Sequence, residues 1–109
     1  MPESEEHKNL REEVACILEG YGCRVYHDRG DTRRPDIFAI KNKQAWRIEI
    51  EISGSNIDRD LNQGAETFVT SPDRLGEITL EVAFKSKEAK VVDIERFREE
   101  VIKRSALKN

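Results

Sequence analysis

The spacing of apolar positions changes along the chain, and the changes divide it into eight predicted elements. Over residues 4–20, Leu10, Val14, Ile17, Leu18 and Tyr21 recur at three- and four-residue steps, which is one face of a helix. Ser4 stands where an N-cap belongs, Glu5 and Glu6 suit the positive end of a helix dipole, and Gly20 and Gly22 mark the stop. Residues 23–27 predict a short strand. Residues 35–40 predict a second, with Pro35 tolerated only at its start or on an edge. Residues 45–52 alternate without a break, Trp46, Ile48, Ile50 and Ile52 on one face and Arg47, Glu49 and Glu51 on the other. That is a half-buried strand. A polar loop, 53–56, leads into a predicted helix from Ile57 through Leu61 and Ala65 to about Phe68, with Gly64 as an unfavourable interior residue. Residues 71–76 read as a turn or a single helical turn. Ile78, Leu80, Val82 and Phe84 alternate again and predict a strand. A strand over 91–94 and an amphipathic helix carrying Ile94, Phe97 and Val101 to about Leu107 close the chain. The order α-β-β-β-α-β-β-α places helices against a central mixed sheet in one α/β domain.

Strands 35–40 and 45–52 are joined by four polar residues, so they form a hairpin. Their apolar pattern fixes the register. Pairing Ile40 with Ala45 sets Ala39 beside Trp46 and Ile37 beside Ile48 on one face, and Phe38 beside Arg47 on the other. A slip of one residue would mix apolar with charged side chains. In this register Asp36 lies level with Glu49, and Asp36, Glu49 and Glu51 project from the same face. Three carboxylates at such spacing repel one another and rise in pKa unless a cation sits among them. A hard divalent cation, Mg²⁺ or Mn²⁺, binds carboxylate oxygens and supports hydrolysis of a phosphodiester. The plainer account is an ordinary strand whose outer face is solvated, with Arg47 neutralising the glutamates; on the Glu-x-Glu pattern alone that account is the better one.

Pro35-Asp36, twelve intervening residues and then Glu49-Ile50-Glu51 at the end of an apolar strand resemble the PD-(D/E)xK nuclease superfamily. The surrounding order of elements resembles it too, and the stretch from Ala83-Phe84 through Val91-Val92-Asp93-Ile94 is similar to archaeal Holliday-junction resolvases of that superfamily. The resemblance runs from about Leu10 to Val101 and implies a restriction-endonuclease-like three-layer sandwich. It implies that Asp36 and Glu49 hold Mg²⁺ (or Mn²⁺), with the Ile50 carbonyl as a further ligand. Glu51 stands where the family usually has a lysine that orients the attacking water. Some restriction enzymes of the superfamily carry such an E-x-E variant, with Glu51 then a ligand or a general base; the same departure also fits a catalytically silent module that binds nucleic acid or a protein partner. Lys41 and Lys43 cannot stand in for that lysine, since the turn holding them is roughly 15 Å from Asp36 at about 3.3 Å per residue. Family members often have an acid on the first helix; here Glu13 borders the apolar stripe, while Arg11 occupies the matching place. Gln63 falls where some relatives have a functional glutamine or lysine, although an exposed helical glutamine is the simpler account.

Charge changes this picture in one respect. The net charge is -3, with 38 % charged residues, which excludes a generally basic nucleic-acid coat. Segment 24–34, however, sets Arg24, Arg29, Arg33 and Arg34 against Asp28 and Asp31 and is net +2. It leads directly into Asp36, so Arg29, Arg33 and Arg34 are the expected phosphate contacts, unless the loop is simply solvated. The N-terminus of the helix after residue 56 is another place for a phosphate. No apolar run is long enough to span a membrane, and the acidic opening residues are unlike a secretory or transit signal. Cys16 and Cys23 fit neither a disulfide framework nor a zinc site, and no spacing nominates His7 or His27. The resulting expectation is a cytoplasmic metal-dependent DNA nuclease. A homodimer is expected by family analogy, because so small a chain needs two copies to grip a duplex. An unrelated small interaction domain remains the third reading.

Overall fold

The computed structural model describes residues 4–27, 36–54, 56–85 and 88–106. Ser4 caps the first helix, α1 (Glu5–Gly20), its hydroxyl accepting from the His7 N–H at 3.1 Å. Leu10, Val14, Ile17 and Leu18 are buried along one stripe, joined by Ala15 and Arg11. The helix stops where Gly22 turns to φ +88°. There the Gly22 N–H bonds Glu19 O and the Cys23 N–H bonds Leu18 O, the paired closure that ends many helices.

Five strands follow: β1 (Arg24–His27), β2 (Ile37–Lys41), β3 (Gln44–Ile50), β4 (Thr67–Thr70) and β5 (Lys90–Asp93), adjacent in that order in one sheet. β1, β2 and β3 pair antiparallel; β3, β4 and β5 pair parallel. The hairpin register is the expected one, with Ile40 opposite Ala45, Ala39 opposite Trp46, Phe38 opposite Arg47 and Ile37 opposite Ile48. Its turn is tighter than four residues. Lys41 pairs with Gln44, and Asn42 and Lys43 take φ 50° and 67°, the positive values of a two-residue turn matched to sheet twist.

Two predicted elements are corrected. The helix expected over 57–68 is a short one, α2 (Ile57–Asn62), followed by β4. Gly64 terminates it at φ +92°, with its N–H on Leu61 O and the Ala65 N–H on Asp60 O. The strand expected over 78–84 is a helix, α3 (Leu75–Phe84), entered through a 3-10 turn at Pro72–Arg74. The reason is topological. β4 and β5 are parallel neighbours, and parallel strands need a crossover between them. Ile78 and Val82, four apart, share the buried face of α3, whereas Leu80 and Phe84 are 73 % and 84 % exposed. The order is therefore α-β-β-β-α-β-α-β-α, with a last helix, α4 (Ile94–Ala106).

Helices cover both faces of the sheet. On one, Ile37, Ala39, Trp46, Ile48, Ile50, Val69 and Val92 pack against Leu10, Val14 and Leu18 of α1 and Phe97 and Val101 of α4. Within that core the Trp46 Nε1–H donates to Thr67 Oγ1 at 2.8 Å, and the Trp46 and Phe97 rings lie 5.2 Å apart. On the other face Phe68 packs with Ile57, Ile78 and Val82, from α2 and α3. That second cover lies over β4 and β5. The outer face of β1–β3 keeps Arg24, Tyr26 and Arg47 exposed and Phe38 half-buried. Among the described residues no helix is long and apolar enough to cross a membrane.

Candidate functional site

The hairpin places Asp36 one step before β2, opposite Glu49 on β3. The Asp36 N–H donates to Glu49 Oε2 at 3.2 Å, and Asp36 Oδ2 accepts from the Ile50 N–H at 2.9 Å. The expected meeting of Asp36 and Glu49 across the two strands is present. Glu51 follows β3, its N–H on Val69 O at 3.0 Å and its Oε1 accepting from the Gly54 N–H at 2.9 Å. The 51–54 loop thus folds back on the Glu51 carboxyl and holds it at the end of the strand.

Two further residues join these acids. Asp60 on α2 is an acid on the buried side of its helix, at 4 % exposure; Glu49 and Glu51 are as deeply placed, at 6 % and 4 %. His7 on α1 sets Nε2 3.2 Å from Asp36 Oδ2. Neither was nominated by the spacing of residues, yet each carried a signal. His7 continues the α1 stripe one step before Leu10, and Asp60 lies between Ile57 and Leu61 on the apolar side of α2.

Burial and mutual repulsion set the electrostatics. Glu49 is pushed far above the carboxylate range, first by burial and then by the charges of Asp36 and Asp60. Burial, with the Asp60 charge behind it, raises Glu51 to about 7. Asp60 rises to about 6, again from burial, against the opposing pull of Arg59, whose Nε is 3.6 Å from Asp60 Oδ1. Near neutral pH the cluster therefore holds protons that solvent-exposed carboxyls would have lost.

Among the described residues no group of three His, Cys, Asp or Glu side chains is arranged to hold a metal ion. Asp36 Oδ2 is committed to the Ile50 N–H and His7, and Glu49 Oε2 to the Asp36 N–H. The donor chemistry is another matter. All four acids offer hard oxygen donors, and the raised pKa values of Glu49, Glu51 and Asp60 register a shortage of positive charge that a divalent cation would relieve.

The other expected site residues separate clearly. Glu13 faces α4, 3.8 Å from Arg98, so α1 presents a histidine to the cluster and not this acid. Lys41 is held at the far end of the hairpin, its Nζ on Tyr21 O at 2.6 Å and Ser105 Oγ at 3.4 Å. Gln63 sits just past α2 and caps it through its backbone N–H. Asn56 opens α2 without a side-chain cap bond, and that helix has only six residues. Arg29, Arg33, Arg34 and Pro35 lie outside the described residues. Cys16 and Cys23 are free thiols. No family model matches the chain, and neither a curated protein nor a solved structure does.

Proposed function

We propose that the chain is a metal-dependent nuclease that hydrolyses DNA phosphodiester bonds, on a restriction-endonuclease-like variant of the α/β fold. One observation carries this reading: the hairpin register brings Asp36 onto Glu49, with Glu51 and Asp60 near them, and burial leaves Glu49, Glu51 and Asp60 short of positive charge. An ordinary solvated strand face would leave its glutamates in water. Glu49 and Glu51 are instead among the most buried polar residues described.

In this reading Asp36, Glu49 and the Ile50 carbonyl hold Mg²⁺ or Mn²⁺. In an extended strand the N–H and C=O of one residue leave on the same edge, and the Ile50 N–H already points to Asp36. The bound cation would polarise the phosphoryl oxygen and acidify a water. Glu51, titrating at about 7, is matched to take a proton from an attacking water near neutral pH. Asp60 adds negative charge behind the ligands, and His7 orients Asp36 from α1. Arg29, Arg33 and Arg34 lie in the segment that leads into Asp36 and are the phosphate contacts in this reading. A homodimer would give so small a domain the reach to grip a duplex or branched DNA, and the free thiols suit a reducing, cytoplasmic compartment.

A catalytically silent version of the same module has one specific observation in its favour, the Glu51 carboxyl tied to Gly54 where a lysine would be free to act. Cleavage assays on duplex, single-stranded and branched DNA with Mg²⁺ or Mn²⁺ decide between them. The nuclease reading expects cleavage that chelation abolishes and that falls by about 100-fold or more in Asp36→Asn and Glu49→Gln. No cleavage of any substrate by the unaltered protein would overturn the nuclease reading and favour the silent module.

A further inference from the structure

Where Glu49 is covered, the rest of the outer face of β1–β3 is open: Arg24, Tyr26 and Arg47 are exposed and Phe38 is half-buried, and these are not the side chains of a merely solvated face. β1 and β2 pair Tyr26 with Phe38, and β2 and β3 pair Phe38 with Arg47. The two rings lie 6.5 Å apart, and the Arg47 guanidinium sits 5.5 Å from the centre of the Phe38 ring. Tyr26 is 48 % exposed although it is a large aromatic residue. Arg24 and Arg47 flank the rings and are exposed. The Arg47 backbone N–H donates to Glu66 Oε2 at 3.1 Å. Asp36 and Glu49 are the next positions on the same face, each two residues along the chain from Phe38 and Arg47.

From this surface we infer that β1–β3 form a stacking platform for unpaired DNA bases, and that the strand presented to Asp36 and Glu49 is single-stranded or locally unpaired. The inference rests on the nuclease reading for what is cut, and names the substrate class. Two arguments select the occupant. The exposed Tyr26 ring, backed by Phe38, has nothing to stack on in a duplex, where each base face is already covered, whereas an unpaired base offers both faces. The cations that flank the rings match a phosphodiester backbone following the bases across the strands. A duplex would meet Arg24 and Arg47 but would leave Tyr26 unused.

The test measures binding by fluorescence anisotropy in EDTA, using a mixed-sequence oligodeoxynucleotide as a single strand and as its duplex. The single strand is expected to bind more tightly than the duplex. Tyr26→Ala should lose about 10-fold or more in single-strand affinity, while Tyr26→Phe, which keeps the ring, should bind like the unaltered protein. Arg47→Gln should weaken binding and make it less salt-dependent, by about one phosphate contact. A matched thermal melt for Tyr26→Phe and Tyr26→Ala separates lost stacking from lost folding. Equal affinity for the duplex, an unchanged affinity in Tyr26→Ala, or a Tyr26-dependent dimer in place of DNA binding would each overturn the platform. The two readings fail differently. If the nuclease reading fails, no substrate is cleaved but Tyr26-dependent single-strand binding survives. If the platform fails, cleavage persists and Tyr26→Ala leaves binding intact.

Discussion

Raising the pH of metal-free protein should weaken the fold, and a divalent cation should restore it. Glu51 is held up from 4.5 to about 7 and Asp60 from 3.8 to about 6, with Glu49 raised further still. In each case the folded chain keeps a proton that the unfolded chain has released. Between the ordinary and the raised value the folded state binds more protons, so stability falls as pH rises. The contribution is fully present below about pH 4 and is lost as pH passes about 7 for Glu51 and about 6 for Asp60. At about 1.36 kcal/mol per pKa unit, Glu51 alone accounts for about 3 kcal/mol, and Asp60 for a similar amount. The acids act on one another, so the two do not simply add. For a domain of this size 1 kcal/mol moves the midpoint by about 4–8 °C, so a fall of order 10 °C between about pH 5 and pH 8 is expected in EDTA. Mn²⁺ at about 100 times its Kd contributes about 2.7 kcal/mol. It should therefore recover much of the loss at the upper pH and little at the lower, where protons already occupy the carboxyls. Glu51→Gln should flatten the profile by removing one titrating acid. Circular-dichroism melts across this range, with EDTA and then with Mn²⁺, provide the measurement. A midpoint that is flat or rises with pH in EDTA would refute the reasoning. So would a Mn²⁺ shift that is equal at both ends of the range, or unchanged in Asp36→Asn.

The crossover helix α3 predicts an asymmetry within one alternating run: Val82→Ser should cost several kcal/mol, since it puts a polar hydroxyl where a buried side chain packed, while Phe84→Ser should change urea stability by about 0.5 kcal/mol or less. Thr67→Val should cost about 1–3 kcal/mol by leaving the Trp46 indole N–H buried without its acceptor, read by denaturant unfolding followed through the tryptophan fluorescence. Gly64→Ala should destabilise by about 1 kcal/mol or more, because the φ of +92° that ends α2 is costly for a residue with a Cβ.

How much of the fold was legible depended on whether a pattern was local. The α1 stripe, its Ser4 cap and the Gly22 stop act within a few residues, and so does the hairpin, where period-two alternation admitted only one register. The run Ile78, Leu80, Val82, Phe84 failed because alternation over seven residues also contains an i, i+4 pair. Which of the two readings wins is decided by β5 pairing parallel with β4, a contact made across the crossover. The same holds for β4. Phe68 looked like the last turn of a helix, but Gly64 had already supplied the closing turn, and the buried parallel strand that follows has no solvated face to make it alternate.

The site divides along the same line, and the division says something about its chemistry. Asp36, Glu49 and Glu51 were readable together because one hairpin carries them and the register of that hairpin is fixed by apolar residues on its other face. Asp60 and His7 reach them from separate helices, so only packing brings them in. Yet their placement is what removes the plain account of a solvated strand. Glu49 and Glu51 on an open face would have titrated like any exposed acid. With α2 closing over them and bringing a fourth carboxyl, burial raises the cost of their charge faster than Arg59 or His7 offsets it. A fold that only needed a stable strand end here would gain by replacing Asp60 with an apolar residue beside Ile57. Keeping these acids together costs stability, and under the proposed function a bound divalent cation would offset that cost.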